Sequence, residues 1–286
     1  MPRWGPSDPR EQPVFHPGDK EALEKIEGAS YSGHLETVMT LVNNSELHPT
    51  RNYLDHALVM TMYQQQLHVA QYLLDSGANI NRNAIGVALQ NASLPLFKFL
   101  VENGWDVNMS YNSGHTVLPL VVKDEALVKL LLDHGADPNL GSQIFNISDP
   151  LTPSINNSGE ALDAAAAEAS IAVFDLLLSR GAKLENSFPL HAAAGSSEDS
   201  GRIPMMAHLL ELGVDIDGDD SSMGPFPAFS YGTPLHHAIR YNGIKKVKFL
   251  LSKGADISGK LHGVTALREA ERCRRPEIVE ILRGMS

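Results

Sequence analysis

The sequence predicts an all-α fold, a solenoid of stacked helix-turn-helix units. Three observations predict it. Apolar residues recur at helical spacing in pairs of short segments along most of the chain. Each pair is punctuated by turn residues, with glycine closing the second segment. The apolar anchors of the first segments are Ile26, Leu58, Ile85, Leu118, Leu162, Leu190, Leu235 and Leu267. Most of them are spaced close to the roughly 33-residue period of a two-helix repeat. The two longer spacings contain insertions.

Taken in order, the first pair lies in KIEGASYSGHLETVMTLV from Lys25. LVMTMYQQQLHVAQYLLDSGANIN follows from Leu58, IGVALQNASLPLFKFLVENGWDVN from Ile85 and TVLPLVVKDEALVKLLLDHGADPN from Thr116. The unit from Thr116 is about two residues short at its inter-helix turn. EALDAAAAEASIAVFDLLLSRGAKL opens at Glu160, and PLHAAA at Pro189 is completed by AHLLELGVDID at Ala207. The clearest unit is GTPLHHAIRYNGIKKVKFLLSKGADIS, Gly232 to Ser258. Thr233 can cap a helix, and Pro234 suits its first position. Asn242-Gly243 breaks that helix, and Ile244 to Ser252 forms the second, with Val247, Leu250 and Leu251 on its apolar face. Gly254 supplies a positive φ at its end. TALREAERCRRPEIVEILR from Thr265 is the last pair.

These units resemble the ankyrin-repeat family from about residue 20 onward. The resemblance rests on Thr-Pro-Leu-His at Thr233–His236 and on Gly-Ala-Asp or Gly-Ala-Asn at Gly77, Gly135 and Gly254, repeated in register. It implies stacked helix-turn-helix units with projecting loops, an L-shaped section and a concave groove. The domain organisation is then a disordered, proline-rich segment at 1–19, in which five of the first seventeen residues are proline, and one ankyrin-repeat domain at 20–286. Loop insertions fall near 141–159, 195–204 and 218–232. Phe145, Ile147, Phe226 and Phe229 make two of these candidates for docking, while tolerated surface insertion is the plainer reading.

By the same resemblance, His191 and His236 cap and brace neighbouring turns, and Pro119 and Asp163 stand where the family has histidine. Partner contacts come from the two residues before each inter-helix turn. Those are Tyr31 and Ser32, Tyr63 and Gln64, Gln90 and Asn91, Ala167 and Glu168, Arg240 and Tyr241, Arg272 and Cys273. The unit at Pro189 has Gly195 and Ser196 there. Arginine and tyrosine are the residue types that most often anchor interfaces. The C-terminal part of the row therefore suits an acidic or aromatic partner segment at Arg240, Tyr241 and Arg272.

Composition sets outer bounds. Hydrophobic residues make up 43% and charged residues 20% of the 286, which is globular rather than disordered. A net charge of -11 opposes general nucleic-acid binding, because phosphate contact needs a basic surface. No stretch has the apolar length of a membrane helix. MPRWGPSDPREQPVFHPGDK lacks the apolar run of a secretory leader. A single cysteine, Cys273, fits a reducing compartment, so the expected location is the cytoplasm, or else the nucleus. Polar ends, Lys20, Glu21, Glu24, Lys25 and Glu27 at one and Arg268, Glu269, Glu271, Arg272, Arg274 and Arg275 at the other, point to a monomer.

Catalytic and metal signatures are missing from the sequence. Adjacent His236 and His237 point in different directions and make a poor chelate. DIDGDD, Asp215 to Asp220, lacks the glycine and glutamate of a calcium loop and reads as a solvated turn. Arg272, Arg274 and Arg275 could lower the pKa of Cys273, which otherwise reads as an ordinary thiol. Lys245, Lys246 and Lys248 read as the outer face of a second helix. The sequence thus predicts no enzyme, no cofactor and no metal, and a scaffold for an unknown protein partner. The alternative is an enzyme or small-molecule binder whose pocket the insertions roof, with Glu168 or Asp163 and a nearby histidine as acid and base.

Overall fold

The computed structural model describes residues 20–44, 51–142, 153–197, 199–220, 232–258 and 264–285. The expected 1–19 segment and the insertion aromatics Phe145, Ile147, Phe226 and Phe229 lie outside them. Among the described residues there are fifteen α-helices, two short 3-10 segments and no β-strand. The chain divides into two compact units after Asp106.

The first unit holds α1 (Lys20–Ser32), α2 (Leu35–Val42), α3 (Arg51–Tyr63), α4 (Leu67–Asp75), α5 (Arg82–Asn91) and α6 (Leu94–Glu102). First helices pack on first helices, α1 on α3 and α3 on α5, and α2 packs on α4. The anchors Ile26, Leu58 and Ile85 are buried at these contacts. Full burial of such a side chain contributes about 2 kcal/mol. Asn81 and Ser93 cap α5 and α6 by accepting from Ala84 N–H (3.0 Å) and Leu96 N–H (3.4 Å).

The second unit begins with a shortened pair. Its first segment is a 3-10 turn at Leu118–Val121, followed by α7 (Glu125–Asp133). The missing residues leave too little chain for an α-turn before Asp124, which already caps α7 through Ala126 and Leu127 N–H. The tighter 3-10 form is the short-chain solution. There follow α8 (Glu160–Glu168), α9 (Ile171–Ser179), α10 (Pro189–Gly195), α11 (Ile203–Glu211), α12 (Pro234–Arg240), α13 (Ile244–Ser252), α14 (Ala266–Arg272) and α15 (Pro276–Arg283). Here too α8, α10, α12 and α14 stack in sequence. Alanines at 161, 165, 166, 193, 194, 238, 266 and 270 are all but fully buried along that stack. Small side chains let the helix axes approach closely. In the last pair Leu267 is half-buried and Ala266 and Ala270 take over the core positions.

Six second helices end alike. After α9, for example, Gly181 has φ 93°, and Ala182 N–H reaches back to Leu177 O (3.0 Å) while Gly181 N–H reaches Leu178 O (3.0 Å). This is the closed C-terminal turn that favours glycine. Beyond it, side chains stitch the projecting turns of the second unit together. Asn108 accepts from Asp137 N–H (2.8 Å) and donates to Gly135 O (2.8 Å), Asn139 makes the same pair with Lys183 and Gly181, and Asp217 accepts from Asp256 N–H (2.9 Å).

Two insertions have structural bases. At 141–159, Glu160 Oε2 accepts from Ser142 N–H (2.8 Å), Glu160 Oε1 bonds His115 Nδ1, and Gly141 and Ile155 exchange backbone bonds. The glutamate draws the His115 pKa upward. Within 195–204, Asp199 accepts from Lys245 N–H (3.0 Å) and Lys246 N–H (3.4 Å). It thereby caps α13, whose own N-cap is the side-chain-free Gly243. The last two residues expected in that insertion, Ile203 and Pro204, are the first turn of α11.

Three sequence-based expectations are corrected. Lys246 is not on an outer face but fully buried, with Nζ donating to Ala194 O (3.0 Å), Ser196 O (2.6 Å) and Ser196 Oγ (3.1 Å). Its stem fills the space beside Gly243, and its charge meets the carbonyl end of α10. Asp220 does not belong to a solvated turn; it is 3% exposed. Glu269 faces inward, not outward, because two arginines draw it there.

Candidate functional site

The residues expected to meet a partner stand at the ends of first helices. In the first unit Tyr31 and Ser32 end α1, Tyr63 ends α3 with Gln64 next to it, and Gln90 and Asn91 end α5. All six are exposed. Gln64 Nε2 donates to Tyr31 Oη (2.7 Å), so two of them form one fixed polar edge. The turn beneath Tyr63 is held by Gln65, at φ 53°, which accepts from Ser93 Oγ (3.1 Å).

In the second unit the row is Ala167 and Glu168 on α8, Gly195 and Ser196 at the end of α10, Arg240 and Tyr241 at the end of α12, and Arg272 and Cys273 at the end of α14. Glu168 is exposed and pairs with Lys123 (2.7 Å). Tyr241 is 61% exposed. Arg240 and Arg272 converge on Glu269. Arg240 Nε donates to Oε1 (2.5 Å), and Arg272 grips the carboxylate with Nε (2.8 Å) and Nη2 (2.6 Å). Burial raises the Glu269 pKa, but the arginine bonds outweigh it and hold the carboxyl at about 2. Arg275 Nη2 then donates to Arg240 O (2.7 Å). The Cys273 thiol is shifted upward, by burial first and then by Glu269. The arginines do pull the thiol downward, as their proximity in sequence suggested they could, but burial and Glu269 outweigh them.

Inside the row lies an arrangement that the sequence did not reveal. A cavity of about 320 Å³ is bounded by Asp163, Phe188, His191, Asp220, His237 and Tyr241, with Ala167 and Ser196 at its edge. His237 Nε2 is 2.8 Å from Asp220 Oδ2, and Asp220 Oδ1 accepts Gly232 N–H (2.6 Å). Burial works against ionisation of Asp220, but these bonds keep its pKa below the ordinary value. His191 packs edge-on against both Phe188 and His237. Its Nε2 donates to Gly218 O (3.0 Å), and its pKa falls to about 4, chiefly through burial. Asp163 Oδ1 accepts Phe188 N–H (2.7 Å), and burial pushes its carboxyl up to about 7.

His236 shows what the ordinary repeat does. Its Nδ1 accepts from the Thr233 hydroxyl (2.9 Å) and its Nε2 donates to Val264 O (3.3 Å), so one ring caps its own helix and braces the next turn. At Pro189 the equivalent N-cap is Phe188, which has no hydroxyl and gives its N–H to Asp163. His191 Nδ1 is accordingly buried without a partner. Both histidines brace the next turn as the resemblance implied; only His236 also caps. A sequence signal for the cavity did exist, in aspartate at 163 and phenylalanine at 188 where histidine and threonine belong. Asp220 carried none.

No described helix is long and apolar enough to cross a membrane. A family model described as ankyrin repeats in three copies matches residues 58–142, 85–187 and 164–285. The chain is also similar to an ankyrin repeat protein of fowlpox virus (strain NVSL), 24% identical over 190 residues, which are 60% of this chain and 26% of that protein. The chain thus spans about a quarter of the length of this relative. With the repeat signatures, the stacked helix pairs and a family match over most of its length, the chain belongs to the ankyrin-repeat family.

Proposed function

We propose that the chain is a non-catalytic protein-interaction scaffold. It recognises a protein partner, as a cytoplasmic monomer, through the ends of its first helices. The observation that carries this reading is the placement of Tyr31, Tyr63 and Tyr241. They are half of the six large hydrophobic side chains that stand exposed among the described residues; Tyr31 and Tyr63 stand two residues before the positive-φ residue of their inter-helix turns, and Tyr241 stands one residue before its own. Tyrosine is among the residue types most frequent at interface centres. Gln64, Gln90, Asn91 and Glu168 supply polar contacts around them, with Arg240 and Arg272 framing Tyr241. Acidic net charge argues against a nucleic-acid partner.

The cavity beside Tyr241 keeps a pocket-based reading in view. The serine at its edge is not paired with the histidine: Ser196 Oγ donates to Ala193 O (2.9 Å) and accepts from Lys246, while His237 Nε2 meets Asp220. A nucleophile paired with a base is what acyl or phosphoryl transfer would need.

The test is affinity capture from lysate of the source cell, with wild type beside a Tyr31→Ser, Tyr63→Ser and Tyr241→Ser variant of equal melting temperature. Interface tyrosines each contribute about 2 kcal/mol when central, so the variant is expected to lose the captured protein entirely. Equal capture by both would remove the reading.

A further inference from the structure

From its lining we infer that the cavity between α8, α10 and α12 receives a single arginine side chain of the protein partner, its guanidinium seated on Asp163 and its stem along Phe188 and Tyr241. The inference rests on the scaffold reading and adds the partner chemistry.

The lining is rich in acceptors and short of donors. Asp163 receives one hydrogen bond, at Oδ1 from Phe188 N–H, and Oδ2 has no donor among the described residues. His191, 6% exposed, donates through Nε2, so its Nδ1 is a bare acceptor, buried and unpartnered. Asp220 is satisfied by His237 and Gly232 N–H and adds a second carboxylate. Among the described residues, no lysine or arginine borders the space. The Lys246 ammonium, bonded to Ser196 at the cavity edge, is already engaged by that residue and by α10 carbonyls. Buried acceptors without donors are costly, and a cation with several N–H groups removes that cost. A guanidinium fits best, because its planar fork pairs with a carboxylate and its faces stack on aromatic rings. The volume, about 320 Å³, is at the small end for ligand pockets and suits one side chain rather than a cofactor. Tyr241 stands at the cavity and in the second unit's part of the proposed contact row alike, so the arginine would sit beside those contacts.

Nα-acetyl-arginine methylamide is the probe. Titrated into the full chain, it is expected to shift the imidazole proton resonances of His191 and His237 saturably, with half-saturation in the millimolar range. The neutral isostere Nα-acetyl-citrulline methylamide is expected to leave them unmoved at the same concentrations. Asp163→Asn keeps an oxygen for Phe188 N–H and removes the charge, so it should fold and weaken the arginine response at least tenfold. An equal response to citrulline, an undiminished response in Asp163→Asn, or no saturable shift would each overturn the assignment. The citrulline comparison needs no variant, so the test survives a folding defect. Capture of a partner by the exposed tyrosines is read separately; if it persists while the arginine response fails, the cavity assignment falls and the scaffold stands.

Discussion

Replacing Glu269 with alanine lowers the unfolding free energy by about 3 kcal/mol. The carboxylate is 1% exposed and receives three hydrogen bonds from two arginines on neighbouring helices, α12 and α14. Removing it leaves the largely buried Arg240 guanidinium without its counter-charge and loosens the last repeat from the one before. A carboxyl held at about 2 against its ordinary 4.5 corresponds to about 3 kcal/mol of the same stabilisation. Because the folded-state pKa is depressed, that contribution is present above the unfolded value near 4.5. It is lost as the pH falls from there toward 2. Urea denaturation of wild type and Glu269→Gln should therefore differ at pH 7, less so at pH 3, and converge near pH 2. Nearest-neighbour interfaces dominate a repeat array, so the loss should appear first in amide exchange of α14 and α15. Equal stability of wild type and variant at pH 7 would contradict the account.

Lys246→Ala is expected to cost about 3 kcal/mol, and Lys246→Met less, about 1–2 kcal/mol. Methionine replaces the packed stem but not the donors. Both leave the α10 carbonyls of Ala193 and Ala194 short of a partner inside the structure. An ordinary lysine on the outside of a second helix would change stability by less than about 0.5 kcal/mol, and that is what the charge run Lys245, Lys246 and Lys248 suggested. Denaturation midpoints of the two variants separate these descriptions, and a neutral Lys246→Ala would return the residue to the surface.

The contrast shows which features a sequence carries openly. Helix pairs, their glycine stops and the anchors at Ile26, Leu58, Ile85, Leu118, Leu162, Leu190 and Leu235 were all readable, because apolar periodicity is a local signal. Thr233 and His236 were readable for the same reason, lying three residues apart. What stayed hidden was the set of polar partners that cross repeats. Asp199 caps a helix 46 residues later, Asp220 meets His237 across an insertion, and Glu269 gathers Arg240 from the preceding repeat. A charged residue in a helix pattern reads as solvent-facing until a partner turns it inward, and only the stack supplies the partner. The proposed contact residues follow from position in the repeat, and the tyrosines among them are exposed at the ends of first helices. The arginines among them sit there as well, already bonded to Glu269, which sequence spacing alone could not disclose.

The most direct test of the scaffold reading is site-specific photo-crosslinking in lysate of the source cell. A benzophenone side chain would be placed at Tyr63 and Tyr241, and separately at Lys98 and Lys129, which are exposed on the second helices α6 and α7. A covalent protein adduct of one size is expected from the tyrosine positions and none from the lysine positions. Adducts from the second helices, with the tyrosine positions unreacted, would contradict the scaffold reading.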